Sequence, residues 1–294
     1  MRPHRGTIFV EDEAQILGQT PFEAEQYILR VRAPKCAAAA TPGSFAHITC
    51  DPSLPMRRPL SIMRADPTQG WIDILYKVHG AGLKLLSRRK PGDSLSIMGP
   101  IGVGFSVHAA RPRVVLIGGG VGIPPMVFLA EQLAGTADGA HRPIAFFGSE
   151  IPFPFRARPS TLLIPGMPDG VIACMPLLEG WRVPCRLASF ARYPGCFEGY
   201  ATDLAALYLQ SLDAQALAET EIFACGPTVM LKAVARLAKR FGLPAQVSLE
   251  EFMACAVGGC AGCAVAVQTL EGPAMKRVCV DGPVFDAAAV FPQG

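Results

Sequence analysis

Apolar and polar residues alternate in "EQYILRVRA" (25–33) and "GWIDILYKV" (70–78), and turn-forming stretches such as "TPGS", "ADPTQG" and "KPGD" separate such segments. A period of two marks a half-buried strand, and short strands punctuated by Gly and Pro mark a barrel or sandwich. Residues 1–108 are therefore expected to form a β-rich domain. Pro59 in "RRPLSIM" fits the start or edge of a strand, where its missing N–H removes no ladder bond.

Beyond Arg113 the pattern changes. "RVVLIGG" (113–119) is a short apolar run rich in β-branched residues, followed by a glycine turn and by "PPMVFLAEQL" (124–133) with apolar residues at helical spacing. "RPIAFFGS" (142–149) and "EIFACGP" (221–227) read as further buried strands. The latter leads into the amphipathic "TVMLKAVARLAKRFG" (228–242), with basic residues late and Gly242 as its C-cap. Strand, turn and helix in repetition predict a parallel α/β domain over 109–243. The stretch 150–200 is proline-rich and reads as irregular connections around one or two strands, and 244–294 as a small third module.

Composition agrees with a folded chain. The 294 residues allow two compact domains and an appendage, and 50% apolar with 17% charged residues argues against disorder. A net charge of +3, without basic runs interleaved with aromatics, points to neither a nucleic-acid nor a membrane partner. "MRPHRGTIFVEDEAQ" turns acidic before any apolar segment forms, so it is not read as a secretory signal. The uncharged run 114–130 carries four glycines and two prolines at its centre and is not read as a membrane span. A soluble cytoplasmic protein is expected. Ten cysteines in such a chain are not a disulfide framework. Cys36, Cys50, Cys174, Cys185, Cys196 and Cys225 stand singly and read as small buried hydrophobes. The other four are grouped.

That group carries the most specific chemistry. Cys255, Cys260 and Cys263 follow C-x4-C-x2-C, and Cys279 lies sixteen positions further on. This is the spacing of plant-type [2Fe–2S] ligands, with Gly258, Gly259 and Gly262 allowing the loop to wrap a cluster and aim N–H groups at its sulfurs. A structural zinc site built on the four cysteines remains open; its usual two C-x2-C pairs are here only one.

"IGGGVGIPP" ends a strand in Gly118, Gly119 and Gly120 and opens a helix near Pro124, which suits either a phosphate or a plain tight turn. It is not G-x-G-x-x-G. Cys225, Gly226 and Pro227 fall where an open α/β sheet builds its ligand crevice. In "RRPLSIM", Arg58 can pair with a pyrophosphate, with Ser61 three residues on; Gly80, Ala81, Gly82 and Leu83 can offer N–H groups to phosphates, and "GPIGVGF" (99–105) adds a glycine-rich turn. The histidines His4, His47, His79, His108 and His141 form no metal-spaced or triad-like group, and neither GxSxG nor a Walker lysine is present.

In order, "PGSF", "RRPLSI", "YKVHGAGLKLLS", "GPIGVGF", "IGGGVGIPP" and "ACGPTVMLKA" resemble the ferredoxin–NADP reductase superfamily. The C-terminal "SLEEFMACAVGGCAGCAVAV" and "KRVCVDGPVF" are similar to the electron transfer subunits of dihydroorotate dehydrogenase B, the PyrK family. The resemblance spans essentially the whole chain and is weakest between 150 and 200. It implies an FAD-binding antiparallel barrel, a parallel-sheet NAD-binding domain and a C-terminal [2Fe–2S] module. It places Arg58, Pro59, Leu60 and Ser61 in the FAD motif, with Ser61 near the reactive flavin edge. Tyr76, Lys77 and Val78 would line the isoalloxazine, and Gly82 and Leu83 the pyrophosphate. Gly119, Gly120, Cys225, Gly226 and Pro227 match the nicotinamide site, with Cys225 able to touch the ring, and Cys255, Cys260, Cys263 and Cys279 match the cluster ligands.

Two departures stand out. Leu83 replaces the family's threonine, and "LASFARYPGCFEGYATDL" lacks the family's acidic pair, so that with Arg192 nearby NADP stays open beside NAD. The implied function is transfer of electrons in pyrimidine biosynthesis from an FMN-containing dihydroorotate dehydrogenase catalytic subunit, in a heterotetramer, through cluster and FAD to NAD. Two alternatives compete: an electron transfer subunit of another oxidoreductase (sulfide dehydrogenase, hydrogenase or ferredoxin–NADP type), and a non-enzymatic four-cysteine zinc interaction module.

Overall fold

The structure, a computed structural model, describes residues 6–136 and 139–293; His4 and the first five positions of the N-terminal stretch lie outside them. The chain begins with β1 (Phe9–Phe22), β2 (Gln26–Arg32), α1 (Pro34–Ala39), β3 (Phe45–Thr49), β4 (Arg58–Asp66), β5 (Trp71–Lys77), α2 (Gly80–Leu86) and β6 (Ser94–Ile101). The six strands close an antiparallel barrel in the order β1-β2-β5-β4-β3-β6. Leu29, Val31, Ile48, Ile62, Ile72, Ile74 and Ile97 fill it and are fully buried. Pro59 sits at the start of β4, paired with His47, where the missing N–H is tolerated.

"WIDILYK" is not half-buried as its alternation predicts: Trp71 through Tyr76 are all buried, the polar Asp73 among them. Arg30 on β2 accounts for Asp73: Nε and Nη2 each donate to the carboxylate at 2.7 Å. The Arg30 guanidinium also lies 3.7 Å from the centre of the Trp71 ring. A buried carboxylate needs such a partner to remain charged.

The second region contains β7 (Arg113–Gly119), a 3-10 turn (Gly120–Gly122), α3 (Ile123–Ala134), β8 (Arg142–Gly148), the two-residue strands β9 (Arg158–Pro159) and β10 (Ala173–Cys174), α4 (Pro176–Gly180), β11 (Cys185–Ala188), α5 (Ala201–Gln210), α6 (Ala214–Ala218), β12 (Thr220–Cys225), α7 (Thr228–Phe241) and β13 (Ala245–Ser248). The C-terminal segment adds β14 (Ala264–Thr269), β15 (Gly272–Arg277), β16 (Val284–Asp286) and α8 (Ala287–Val290). A six-stranded sheet runs β11-β8-β7-β12-β13-β16. Its strands are parallel except β16, which returns antiparallel along β13. Gly242 ends α7 in the left-handed conformation at φ 64°, with Lys239 and Arg240 in the last turn, as the sequence predicts.

Two features of this sheet position the site. From β7 the chain runs to β8 on one side, and from β12 to β13 on the other. The carboxyl ends of β7 and β12 therefore flank the reversal point where open α/β sheets bind ligands. In addition, β16 ties the C-terminal segment into the sheet, while β14 and β15 form a separate hairpin. The uncharged run 114–130 is β7, turn and α3. No described helix is long and apolar enough to cross a membrane.

The barrel meets the sheet through Arg64 on β4, whose guanidinium chelates Glu131 of α3. The same group lies between the Trp71 and Trp181 rings, 5.5 and 5.2 Å from their centres. Gln26 Nε2 donates to the carbonyl of Pro152 at 2.7 Å, adding a second tie.

Candidate functional site

A cleft of about 970 Å³ opens between the barrel and the C-terminal segment. Barrel residues Arg58, Pro59, Leu60, Ser61, Tyr76, Lys77, Val78 and Leu83 line it, all drawn from the residues singled out in the sequence. The volume is at the upper end of the ordinary range for cofactor sites. Tyr76 borders the cleft, but its ring is buried, stacked on Tyr27 with centroids 5.4 Å apart, and its hydroxyl donates to Gln19 at 2.9 Å.

Arg58 enters from the start of β4. Its Nη1 donates to the carbonyls of Met56 at 2.8 Å and Arg57 at 3.1 Å, and its guanidinium packs on Gly82, where a first side-chain carbon would meet Nε at 3.2 Å. Gly82 lies in the first turn of α2, whose N-cap His79 makes no side-chain capping bond. The first N–H groups of a helix have no intrahelical acceptor. A fixed cation and free donors thus converge at one point, a fit for the pyrophosphate of a dinucleotide. Leu83 is buried, so at that position only backbone can reach a phosphate.

The other wall was not legible in the barrel motifs. Ser248, Leu249, Glu250, Glu251, Phe252, Met253 and Ala254 supply it, together with Val121 and Gly262. Phe252 is 93% exposed. Its position beside two glutamates in "SLEEF" was the available signal.

The nicotinamide-type residues lie outside this cleft, at the crevice between β7 and β12. Glycine roles differ there. Gly120 has φ 54° and nothing within 4 Å of an added side-chain carbon. At Gly122 such a carbon would come within 2.4 Å of the Cys225 backbone. Cys225 itself is fully buried, and burial pushes its thiol well above the usual range. The structure places its sulfur in the core, with Gly226 and Pro227 at the turn that follows.

The four grouped cysteines are brought together as two pairs. Cys255 and Cys260 Sγ lie 3.3 Å apart, and Cys263 and Cys279 Sγ lie 3.4 Å apart. The loop is held from several sides: Arg277 Nη1 donates to the Gly258 carbonyl at 2.8 Å, and Val278 N donates to the Cys263 carbonyl at 3.1 Å. Gly258 has φ 89°, and a side-chain carbon there would meet Val280 at 2.6 Å, so the turn needs glycine. Cys263 and Cys279 are buried with Phe45 and Ile101 of the barrel, whereas Cys260 is exposed. The N–H groups of Cys260 and Gly262 donate to Cys255 and Cys260 Sγ, both at 3.4 Å. Backbone N–H groups, that of Val257 foremost, lower the Cys255 thiol to about 6, whereas burial foremost pushes the Cys279 thiol up to about 12.

Arg192, near the segment that lacks the acidic pair, is exposed and forms a surface ion pair with Glu198 at 2.9 Å.

A family model for the iron–sulfur cluster binding domain of dihydroorotate dehydrogenase B matches residues 250–291. The chain is 30% identical over 277 residues to the dihydroorotate dehydrogenase B (NAD(+)) electron transfer subunit of Desulforamulus reducens, covering 93% of this chain and 95% of that one. To the subunit of the same name from Geobacillus thermodenitrificans it is 33% identical over 282 residues, covering 94% and 96%. Among solved structures, that of an NADH-dependent reduced ferredoxin–NADP oxidoreductase gives a TM-score of 0.76 at 24% identity, over 95% of this chain and 90% of that one. The ferredoxin reductase in carbazole 1,9a-dioxygenase gives 0.59 at 20% identity, over 81% and 67%. These two likenesses establish a ferredoxin reductase-like fold.

Proposed function

The chain belongs to the family of dihydroorotate dehydrogenase B electron transfer subunits, and from that premise we propose that it carries electrons from a dihydroorotate-oxidising catalytic subunit to NAD in pyrimidine biosynthesis. The observation that carries the reading is a junction. Ala254 and Gly262, the residues immediately before Cys255 and Cys263, both line the dinucleotide-sized cleft. A cluster on those cysteines would lie against a flavin in that cleft.

Bound there, FAD would supply two-electron hydride chemistry and the iron–sulfur centre one-electron transfer. The chain's own residues bind and orient. Arg58 and the first-turn N–H groups of α2 would hold the pyrophosphate, Ser61 lines the cleft, and Leu60, Val78 and Leu249 would exclude water from it. Cys255, Cys260, Cys263 and Cys279 would hold the [2Fe–2S] cluster. One tetrahedral zinc would need all four sulfurs within about 3.8 Å of one another. The sulfurs lie in two close pairs, at 3.3 and 3.4 Å, an arrangement that suits two irons.

The partner in this reading is an FMN-containing catalytic subunit, joined in a cytoplasmic heterotetramer. The limits 1–108, 109–243 and 244–294 for the three modules belong to the same reading, with β13 and β16 anchoring the third to the sheet of the second. Analysis of purified chain for iron and acid-labile sulfide tests it. Equal amounts of both with bleachable visible bands are expected, and a colourless zinc protein would end this reading.

A further inference from the structure

The crevice between the carboxyl ends of β7 and β12 is filled by a side chain. Met230, in the first turn of α7, lays its thioether between Gly119 and Gly226. A first side-chain carbon at position 119 would meet its Sδ at 2.6 Å, and one at 226 would meet its Cε at 2.5 Å and its Sδ at 3.1 Å. Room for the thioether exists because neither position carries a side chain. The two glycine turns also adjoin: a carbon at 226 would come within 3.2 Å of the Gly119 nitrogen. The glycines that suit close approach by a dinucleotide are therefore in contact with methionine.

Two properties make this contact reversible. Methionine is unbranched, with three rotatable bonds, and changes rotamer at little cost. Its neighbour Val229 is 77% exposed, so the first turn of α7 borders solvent and offers a place for the thioether to go. Gly120, with nothing within 4 Å, is open on the same crevice.

Resting on the nicotinamide reading above, we infer that Met230 is a displaceable plug of this crevice. The nucleotide binds the fraction of molecules whose thioether has swung outward, and Met230 thereby sets its apparent affinity. It is a positioning residue, with no part in hydride transfer.

The test uses the FAD-loaded full chain reducing ferricyanide with NADH. In Met230→Ala the crevice is always open, and KM for NADH falls by the reciprocal of the open fraction, about tenfold where that fraction is about one-tenth. In the same variant kcat changes by less than about twofold. Met230→Leu, which keeps the volume, restores a KM close to that of the unaltered chain. A KM unchanged or raised in Met230→Ala overturns the inference. A second measurement does not depend on that variant folding. In chain labelled with 13C at the methionine methyl groups, the Met230 signal, assigned by its loss in Met230→Leu, shifts as NAD is added. A signal that stays fixed while NAD saturates the flavin absorbance change overturns this inference alone. Failure of the unaltered chain to bind NAD at all overturns it together with the nicotinamide reading.

Discussion

The guanidinium of Arg58 rests on the backbone of Gly82, so close that a first side-chain carbon at position 82 would meet its Nε at 3.2 Å. This contact brings a fixed cation from β4 to the uncapped first turn of α2. Charge-assisted hydrogen bonds contribute about 1.5–3 kcal/mol each, so Arg58→Ala is expected to weaken FAD binding roughly tenfold to hundredfold. Arg58→Lys recovers little of it, because an ammonium cannot reproduce the planar fork. Titration of FAD into the apoprotein, followed by quenching of flavin fluorescence, reads the change. An unaltered Kd would remove Arg58 from the site.

Cys260 is exposed and paired with Cys255, on the outer half of the cysteine loop. Cys260→Ala should lose iron and sulfide while keeping FAD and NADH-dependent dye reduction, since the barrel wall of the cleft does not rest on it. Loss of FAD as well would show that cluster loop and barrel fold as one unit.

Gly120 and Gly122 stand two residues apart and predict opposite severities. Gly122→Ala drives a carbon to within 2.4 Å of the Cys225 backbone. That clash must displace either α3 or the end of β12, and a large fall in Tm is expected. Gly120→Ala meets nothing within 4 Å and has only its φ of 54° to strain, a cost of about 1–2 kcal/mol. Thermal unfolding of both variants orders them. Equal losses would mean that the turn tolerates movement this packing denies.

His47 is buried in the barrel wall with neither ring nitrogen hydrogen-bonded. Burial foremost, then the charge of Arg57, lowers it to about 4. The folded state thus takes up its proton at lower pH than the unfolded chain, whose histidines titrate near the ordinary value of about 6.5. The stability this neutral ring preserves is complete above about pH 6.5 and declines as pH falls toward about 4. A loss on the order of 1–3 kcal/mol is expected over that window. His47→Leu should flatten this part of the stability–pH curve without destabilising the chain at pH 7, because it removes an unsatisfied polar ring. Urea titrations at pH 7 and pH 4.5 measure both effects.

What was legible in the sequence was whatever depends on local spacing. "WIDILYK", "RVVLIGG" and "TVMLKAVARLAKRF" formed strands and a helix as expected, though "WIDILYK" is buried on both faces rather than one, and the C-x4-C-x2-C run with Cys279 came together in pairs. Long-range packing was not legible. Strand β1 hides its period behind Glu11, Asp12 and Glu13 and a register shift between Ile16 and Gly18. The second wall of the cleft comes from residues 248–254, brought to the barrel by β13 and β16 rather than by any local pattern. The glycines of "IGGGVGIPP" looked equivalent in sequence, yet they meet a phenylalanine, a methionine, open space and the Cys225 backbone in turn. Nothing in the spacing distinguishes a glycine that admits a ligand from one that admits its own chain.

In the proposed function, electrons from dihydroorotate reach NAD through the cysteine loop of this chain. Co-purification with a dihydroorotate-oxidising subunit, followed by assay of dihydroorotate-dependent NAD reduction, tests this most directly. The complex is expected to reduce NAD, and Cys260→Ala to abolish this while dihydroorotate oxidation by an artificial acceptor at the partner persists. A complex inert toward dihydroorotate but active with another donor, or one whose NAD reduction survives Cys260→Ala, would contradict it.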